Sequence, residues 1–280
     1  MDKSIIIPFI LNSLKEDVGD GDHTSLATIS AGTKGKAKLL VKDQGTLAGV
    51  ELAVEIFHVV DTKLKISIFL KDGTQIKPGD IAFEVEGDTQ SILKAERLVL
   101  NCMQRMSGIA TKTHQITAIL KGTKTKVLDT RKTTPGMRYL EKWAVRIGGG
   151  LNHRFGLYDM ILIKDNHVDY AGGIKNAIEK TKEYLASQNK KLAIEIEVRN
   201  LDELSRVLEV GGVDRILLDN FNLNNLRDAV KMINGQYSTE ASGGITLDNI
   251  REYAACGVDY ISMGALTHSV KSLDLSLKAV

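Results

Sequence analysis

The stretch LAIEIEVRNLDELSRVLEVGGVDRILLDN, residues 192–220, decides the fold class. It holds two apolar, strand-like runs, LAIEIEV and RILLDN, on either side of a helical segment, which is the pattern of a strand–helix–strand unit. The continuous apolar character of both runs indicates strands of a parallel sheet that is covered on both faces. The stretch therefore predicts an α/β architecture.

The same pattern recurs through the second half of the chain. Further strand-like runs, each followed by a helical stretch, are KVLDT (126–130), MILIKD (160–165), QYSTEAS (236–242) and YISMGA (260–265). Six such βα units are compatible with a barrel or a doubly wound sheet. Because a complete eightfold barrel usually takes about 250 residues, we expect a short or incomplete barrel of about six βα units.

The first half of the chain has a different pattern. Alternating runs and turn residues before residue 120 predict an α+β unit, with a hairpin in DGTQIKPGDIAFEVEGD (72–88). A long amphipathic stretch follows over residues 91–120, and Gly108 is expected to break it into two helices. No linker rich in proline or serine separates the halves, so we expect them to share an interface.

Composition excludes several classes of protein. The 280 residues carry 37 Lys+Arg against 35 Asp+Glu, and no basic stripe occurs, so nucleic acid is not an expected partner. Cys102 and Cys256 match no disulfide or zinc spacing, which suits a reducing compartment. The apolar residues near the N-terminus fit neither a signal peptide nor a membrane span, because Pro8 interrupts them. We expect a cytoplasmic protein with no membrane contact.

Cationic side chains are concentrated in one part of this nearly neutral chain. This cationic cluster consists of Arg131, Lys132, His153, Arg154 and Lys164. Because reactive groups of α/β barrels gather where strands end, the cluster predicts a polyanion site at the carboxyl face of the sheet.

Acidic residues follow the same rule. Glu195 and Glu197 share one side of their strand, and Asp219 ends the next run. A buried carboxylate needs a cation or a metal ion nearby. We expect Glu197, closer to the loop, to bind ligand and Glu195 to form a structural ion pair.

Glycine turns end the last two strands. Ser242, Gly243 and Gly244 precede a helix that we expect Thr246 to cap, and Gly264 lies shortly before His268. Backbone N–H groups at such turns bind phosphate. Together with the cationic cluster and the acids, these turns favour phosphoribosyl transfer with a divalent ion or ribose hydroxyls held by Glu197 and Asp219.

Several long runs resemble one known family, quinolinate phosphoribosyltransferase, over residues 16–269. They are EDVGDGDHTS (16–25), QRMSGIATKTH (104–114), VLDTRKTTPGMRYLEKWAV (127–145), GGGLNHRFGLYDMILIKDNH (148–167), EASGGI (240–245) and GALTHS (264–269). The resemblance implies an N-terminal α/β sandwich domain over 1–115, to which 269–280 could return, and an incomplete α/β barrel over 116–268. It implies a homodimer that converts quinolinate and phosphoribosyl pyrophosphate to nicotinate mononucleotide, diphosphate and CO₂ in NAD biosynthesis.

The resemblance also implies roles for individual residues. Quinolinate would contact Thr130, Arg131, His153, Arg154 and Lys164, and Arg105 of the partner subunit. Lys132, Glu197 and Asp219 would be catalytic, holding phosphoribosyl pyrophosphate, with the two acids binding Mg²⁺ through substrate or water. The 5′-phosphate would contact Ser242, Gly243, Gly264 and His268.

Two alternatives stay open. A paralogue associated with molybdenum transport shares the fold, although the set of Arg105, Arg131, Arg154 and Lys164 argues against it. The chain could also be a non-catalytic, phosphate-binding barrel protein. A pure anion sensor would gain nothing from Glu197 and Asp219, which favours an enzyme.

Overall fold

A computed structural model describes residues 1–280, which divide into two compact units. Unit 1 comprises Met1–His114, Thr133–Gly149 and Leu266–Val280, and unit 2 comprises Gln115–Lys132 and Gly150–Ala265. Each unit therefore combines segments that are distant in sequence.

The chain forms eleven helices and twelve strands. The helices are α1 (Lys3–Val18), α2 (His23–Thr28), α3 (Val50–Val60), α4 (Thr89–Ile119), α5 (Arg138–Ile147), α6 (Asp165–Ala171), α7 (Ile174–Ser187), α8 (Leu201–Val210), α9 (Leu223–Ile233), α10 (Ile250–Ala255) and α11 (Ala265–His268). The strands are β1 (Lys34–Val41), β2 (Gly45–Thr46), β3 (Lys65–Ile68), β4 (Gln75–Ile76), β5 (Ile81–Asp88), β6 (Lys126–Leu128), β7 (Ile161–Ile163), β8 (Ile194–Val198), β9 (Arg215–Asp219), β10 (Ser238–Ser242), β11 (Tyr260–Ser262) and β12 (Leu275–Ala279). No helix combines the length and the hydrophobicity that a membrane-spanning segment requires.

Unit 1 is built on a four-stranded antiparallel sheet with the order β12-β1-β5-β3. Alternate residues of β1 are buried, as expected for a strand with one face on a core. In that core the rings of Phe57 and Phe83 pack edge to face at 5.9 Å. The C-terminal strand β12 pairs with β1, where Ala279 lies opposite Ala37.

The predicted break at Gly108 is wrong, because α4 runs through that residue without interruption. Glycine is needed there for close packing instead: a Cβ at Gly108 would lie 2.3 Å from the carbonyl oxygen of Lys271. Helix propensity favours other residues, but the close approach of another backbone segment requires the absence of a side chain.

The predicted hairpin within residues 72–88 is also wrong. Its first strand, β4, pairs with β2, whereas β5 lies between β1 and β3. Gly73 and Gly79 do adopt the positive φ angles expected of turn residues, 89° and 94°. The turns were therefore predicted correctly and the pairing of the strands was not.

Unit 2 is built on a six-stranded parallel sheet with the order β6-β11-β10-β9-β8-β7. Its two end strands, β6 and β7, do not pair with each other, so the sheet stays open. Together with the small sheet of unit 1, this sheet confirms the predicted fold class of a small N-terminal sheet domain and an incomplete parallel α/β barrel. All of β8 is buried, as its continuous apolar run indicates.

Local sequence explains how the helices of unit 2 begin. The side chain of Asn200 caps α8 by accepting from the N–H of Glu203, and Asn222 caps α9 by accepting from the N–H of Asn225. These short loops directly follow β8 and β9. They fix the carboxyl ends of the two strands, where the candidate acids lie.

Candidate active site

Most of the candidate residues lie at the carboxyl ends of the parallel strands of unit 2. They are Thr130, Arg131 and Lys132 after β6, Lys164 after β7, Glu197 in β8, Asp219 in β9, Ser242 and Gly243 at the end of β10, and Gly264 after β11. The register pairs Asp219 with Ser242 across β9 and β10. His153 and Arg154 lie in the loop before β7.

Two arginines of the cationic cluster lie close together. Burial lowers the pKa of Arg154, and the neighbouring charge of Arg131 lowers it further. Arg154 also donates from Nη1 to the carbonyl oxygen of Met160 at 3.2 Å, which fixes its side chain. Like charges held together in this way form a site that an anion would stabilise.

A lysine and two acids form a second group of charges. Lys164 Nζ lies 3.4 Å from Glu197 Oε2. Burial raises the pKa of Glu197, Lys164 opposes that rise, and the nearby Asp219 reinforces it. Asp219 in turn accepts a hydrogen bond from the side chain of Asn220 at 2.6 Å. Two neighbouring carboxylates with hard oxygen donors can hold a divalent cation or sugar hydroxyls.

His153 is tightly oriented. Its Nδ1 accepts from the N–H of Arg154 at 2.7 Å, so Nε2 is the nitrogen that carries a proton. Nε2 lies 2.9 Å from Glu195 and 3.6 Å from Glu240, and both carboxyl groups are fully buried. The backbone N–H of His153 donates to Asp129 at 2.9 Å. The ring is thus held by groups on several strands.

Glu240 and Arg215 complete this buried group, although neither was predicted from the sequence to belong to the site. Arg215 Nη1 lies 2.9 Å from Glu240, and its guanidinium stacks on the ring of Tyr260 at 4.2 Å. Burial is the main cause that raises the pKa of Glu195 and of Glu240 to about 7. A glutamate inside the strand run STEAS was the available signal.

His153, Glu195 and Glu240 are close enough to share a metal ion, with potential ligand atoms within 4.8 Å of one another. The guanidinium of Arg215 already occupies one oxygen of Glu240, however. That cation offsets part of the buried negative charge and makes the group a poorer metal site than Glu197 with Asp219.

The turn after β10 depends on glycine. Gly243 has a φ of 90°, and a Cβ there would lie 2.1 Å from Oδ1 of Asn220. The backbone N–H groups of Gly243 and Gly244 donate no hydrogen bond within the protein. The predicted cap at Thr246 is wrong, because α10 begins only at Ile250, after a turn. The free N–H groups nevertheless offer donors for an anion.

Arg105 and His268 belong to unit 1. Arg105 lies on α4 and pairs with the buried Glu141 at 2.8 Å. His268 ends α11, and its Nδ1 lies 2.6 Å from the hydroxyl of Ser269. The remaining candidates all lie in unit 2.

Comparisons with known proteins agree on one family. Residues 22–107 match the family model of the quinolinate phosphoribosyl transferase N-terminal domain, and residues 109–278 match that of the C-terminal domain. The chain is 46% identical over 281 residues to the chloroplastic nicotinate-nucleotide pyrophosphorylase [carboxylating] of Oryza sativa subsp. japonica, covering 95% of this chain and 75% of that protein. The Arabidopsis thaliana protein of the same name is also 46% identical, with 95% and 80% covered.

Solved structures give the same result. The nicotinate-nucleotide pyrophosphorylase from Francisella tularensis superimposes with a TM-score of 0.93 and 38% identity, covering 100% of this chain and 98% of that one.

Proposed function

The chain belongs to the quinolinate phosphoribosyltransferase family, and we propose that it catalyses the reaction for which its relatives are named. The phosphoribosyl group of phosphoribosyl pyrophosphate is transferred to the ring nitrogen of quinolinate, and a carboxyl group leaves as CO₂. The products are nicotinate mononucleotide and diphosphate, so the chain is a pentosyltransferase of NAD biosynthesis. The observation that carries the proposal is the proximity of Arg131 and Arg154 in a site that also contains paired acids.

The quinolinate half of the site is cationic. Arg131, Arg154 and Lys164 face the two carboxylates of the substrate, and Thr130 and His153 line the same pocket. Guanidinium groups suit carboxylates because they donate two parallel hydrogen bonds. Burial lowers the pKa of Arg154, and the charge of Arg131 lowers it further; a bound dianion would offset both effects, which supports this assignment.

The phosphoribosyl pyrophosphate half contains Lys132, Glu197 and Asp219. Oxygen donors of the two acids fit Mg²⁺, bound directly or through water and the substrate. When bound, Mg²⁺ supplies positive charge that neutralises the diphosphate. Lys132 contributes a further cation for the diphosphate.

The 5′-phosphate of the ribose is assigned to the turns at the last two strands. Ser242 and Gly243 offer a hydroxyl and a free N–H, and we assign Gly264 and His268 to the same phosphate. The free N–H groups of the turn after β10 support this assignment.

Catalysis requires two contributions from these residues. The cations hold the ring nitrogen in line with the anomeric carbon, and Glu197 and Asp219 stabilise the positive charge that develops there as diphosphate leaves. The positive charge on the substituted ring nitrogen then stabilises the electron pair that stays on the adjacent carbon when CO₂ departs, and that carbon takes up a proton from water. The cationic cluster must bind the departing carboxylate no more tightly than it binds the transition state.

We also propose that the protein is a cytoplasmic homodimer, in which Arg105 of the partner subunit completes the quinolinate pocket. The two buried, unpaired thiols, Cys102 and Cys256, support a reducing compartment.

A subunit-mixing experiment tests the contribution of Arg105. Arg105→Ala and Arg154→Ala are each expected to be inactive. Random mixing should restore about a quarter of the activity, because half of the dimers are mixed and each regains one of two sites. If verified mixed dimers stay inactive, Arg105 does not act across the interface.

The proposed reaction is tested with the purified protein, quinolinate, phosphoribosyl pyrophosphate and Mg²⁺. Nicotinate mononucleotide and CO₂ are expected in equal amounts, and nicotinate should not replace quinolinate. A protein that binds phosphoribosyl pyrophosphate but forms no product would instead be a non-catalytic binding protein. Equal product from nicotinate would overturn the substrate assignment.

A further inference from the structure

A fully buried carboxylate lies beside Arg105 in unit 1. Glu141, on α5, has no exposed surface, whereas the side chain of Arg105 is 21% exposed. Burying a carboxylate is costly unless charged or polar donors surround it. Glu141 must therefore be held by the groups that contact it.

Both oxygens of Glu141 have partners. Oε1 accepts from Nε of Arg105 at 3.1 Å and from Nη2 at 2.8 Å. Oε2 accepts from the backbone N–H of Thr134 at 3.1 Å. Nη2 of Arg105 also donates to the carbonyl oxygen of Thr267. The carboxylate of Glu141 thus joins α4 to the loop before α5, and Arg105 joins α4 to the residue that precedes His268.

These contacts leave one part of the guanidinium unused. Nε and Nη2 of Arg105 face Glu141, whereas Nη1 donates no hydrogen bond within the protein. The guanidinium group is planar, so fixing the edge formed by Nε and Nη2 also fixes the direction in which Nη1 points. A preorganised donor loses less conformational entropy when it binds an anion.

We propose that Glu141 is a positioning residue that orients Arg105 so that Nη1 binds a carboxylate of the substrate. This inference rests on the proposed function, in which Arg105 contacts quinolinate. Glu141 itself does not touch the substrate. Its second oxygen accepts from the backbone N–H of Thr134, which holds the carboxylate in place beside Arg105.

The test is Glu141→Gln, which keeps the shape of the side chain but removes its charge. Loss of a charge-assisted hydrogen bond should raise the KM for quinolinate about tenfold to a hundredfold. The KM for phosphoribosyl pyrophosphate should change by less than about threefold, within the usual scatter of such effects. Glu203→Gln is the matched control, since it breaks a different carboxylate–arginine pair, with Arg199 at 2.6 Å. It should leave both KM values unchanged.

A double-mutant cycle separates positioning from stability. Because Arg105→Ala is expected to be inactive, the cycle uses the dissociation constant for quinolinate, measured by calorimetry. If Glu141 acts through Arg105, adding Glu141→Gln to Arg105→Ala should not raise this dissociation constant further. The double variant should also melt at a higher temperature than Arg105→Ala alone, because it no longer buries an unpaired charge.

The outcomes distinguish a positioning role of Glu141 from a purely structural ion pair. Equal changes in both KM values, or additive effects in the cycle, would overturn the positioning role and leave a structural ion pair. If Arg105→Ala leaves the dissociation constant for quinolinate unchanged, the assignment of Arg105 to the substrate fails, and the role of Glu141 fails with it.

Discussion

The buried carboxyl group of Glu240 should make the stability of the protein depend on pH. Burial, and then the neighbouring charge of Glu195, raises its pKa from 4.5 to about 7, and its side chain is fully buried. The folded protein therefore binds more protons than the unfolded chain between these two values. Because the pKa is raised, the free energy of unfolding must fall as the pH rises through this range.

The size of this change in the free energy of unfolding follows from the shift in the pKa of Glu240. A rise from 4.5 to about 7 corresponds to about 3 to about 4 kcal/mol at most, at about 1.4 kcal/mol per pKa unit. Glu240→Gln removes this titration while keeping the shape of the protonated group. Its amide oxygen can still accept from Arg215, which lies 2.9 Å from the carboxylate.

Urea unfolding of the wild type and of Glu240→Gln, from about pH 5 to about pH 8, measures the difference. As the pH rises over this range, the free energy of unfolding of Glu240→Gln should increase by up to about 3 kcal/mol relative to that of the wild type. Glu179→Gln, whose side chain is 50% exposed on α7, is the control and should show no such gain. A stability difference between Glu240→Gln and the wild type that does not change with pH would show that Glu240 does not titrate in this range.

Three further predictions concern packing, charge and metal. Gly108→Ala should lower the free energy of unfolding by about 1–3 kcal/mol, because its Cβ would overlap the carbonyl oxygen of Lys271. The better helix propensity of alanine does not offset this overlap. The loss of stability is measured as a lower midpoint of thermal unfolding. Lys164→Gln should raise the quinolinate KM. It should also move the acid limb of kcat/KM to higher pH, because Lys164 lowers the pKa of Glu197. Chelation with EDTA should abolish activity, and added Mg²⁺ should restore it, as followed by diphosphate release.

The strands of the parallel sheet could be predicted because strands that are buried on both faces have continuous apolar runs in the sequence. The runs LAIEIEV and RILLDN contain β8 and β9, and Glu197 and Asp219 lie toward the ends of those strands as expected. The polar residues there follow from the general geometry of such sheets. The apolar runs do not indicate which strands are neighbours in the sheet. For example, β6 and β7 follow each other in the chain but lie at opposite ends of the sheet.

The features that sequence could not give depend on contacts between distant segments. The clash that requires Gly108 involves Lys271, and nothing near Gly108 in the sequence indicates it. Glu141 lies in the run RYLEKWAV, where a glutamate usually marks an exposed helix face. Only the structure pairs it with Arg105.

The fate of one carboxyl group tests the proposed reaction most directly. Quinolinate labelled with ¹³C in the carboxyl group beside the ring nitrogen is incubated with the protein, phosphoribosyl pyrophosphate and Mg²⁺. One labelled CO₂ should appear for each diphosphate and each unlabelled nicotinate mononucleotide. Diphosphate release without labelled CO₂, or label retained in the nucleotide, would contradict the assignment.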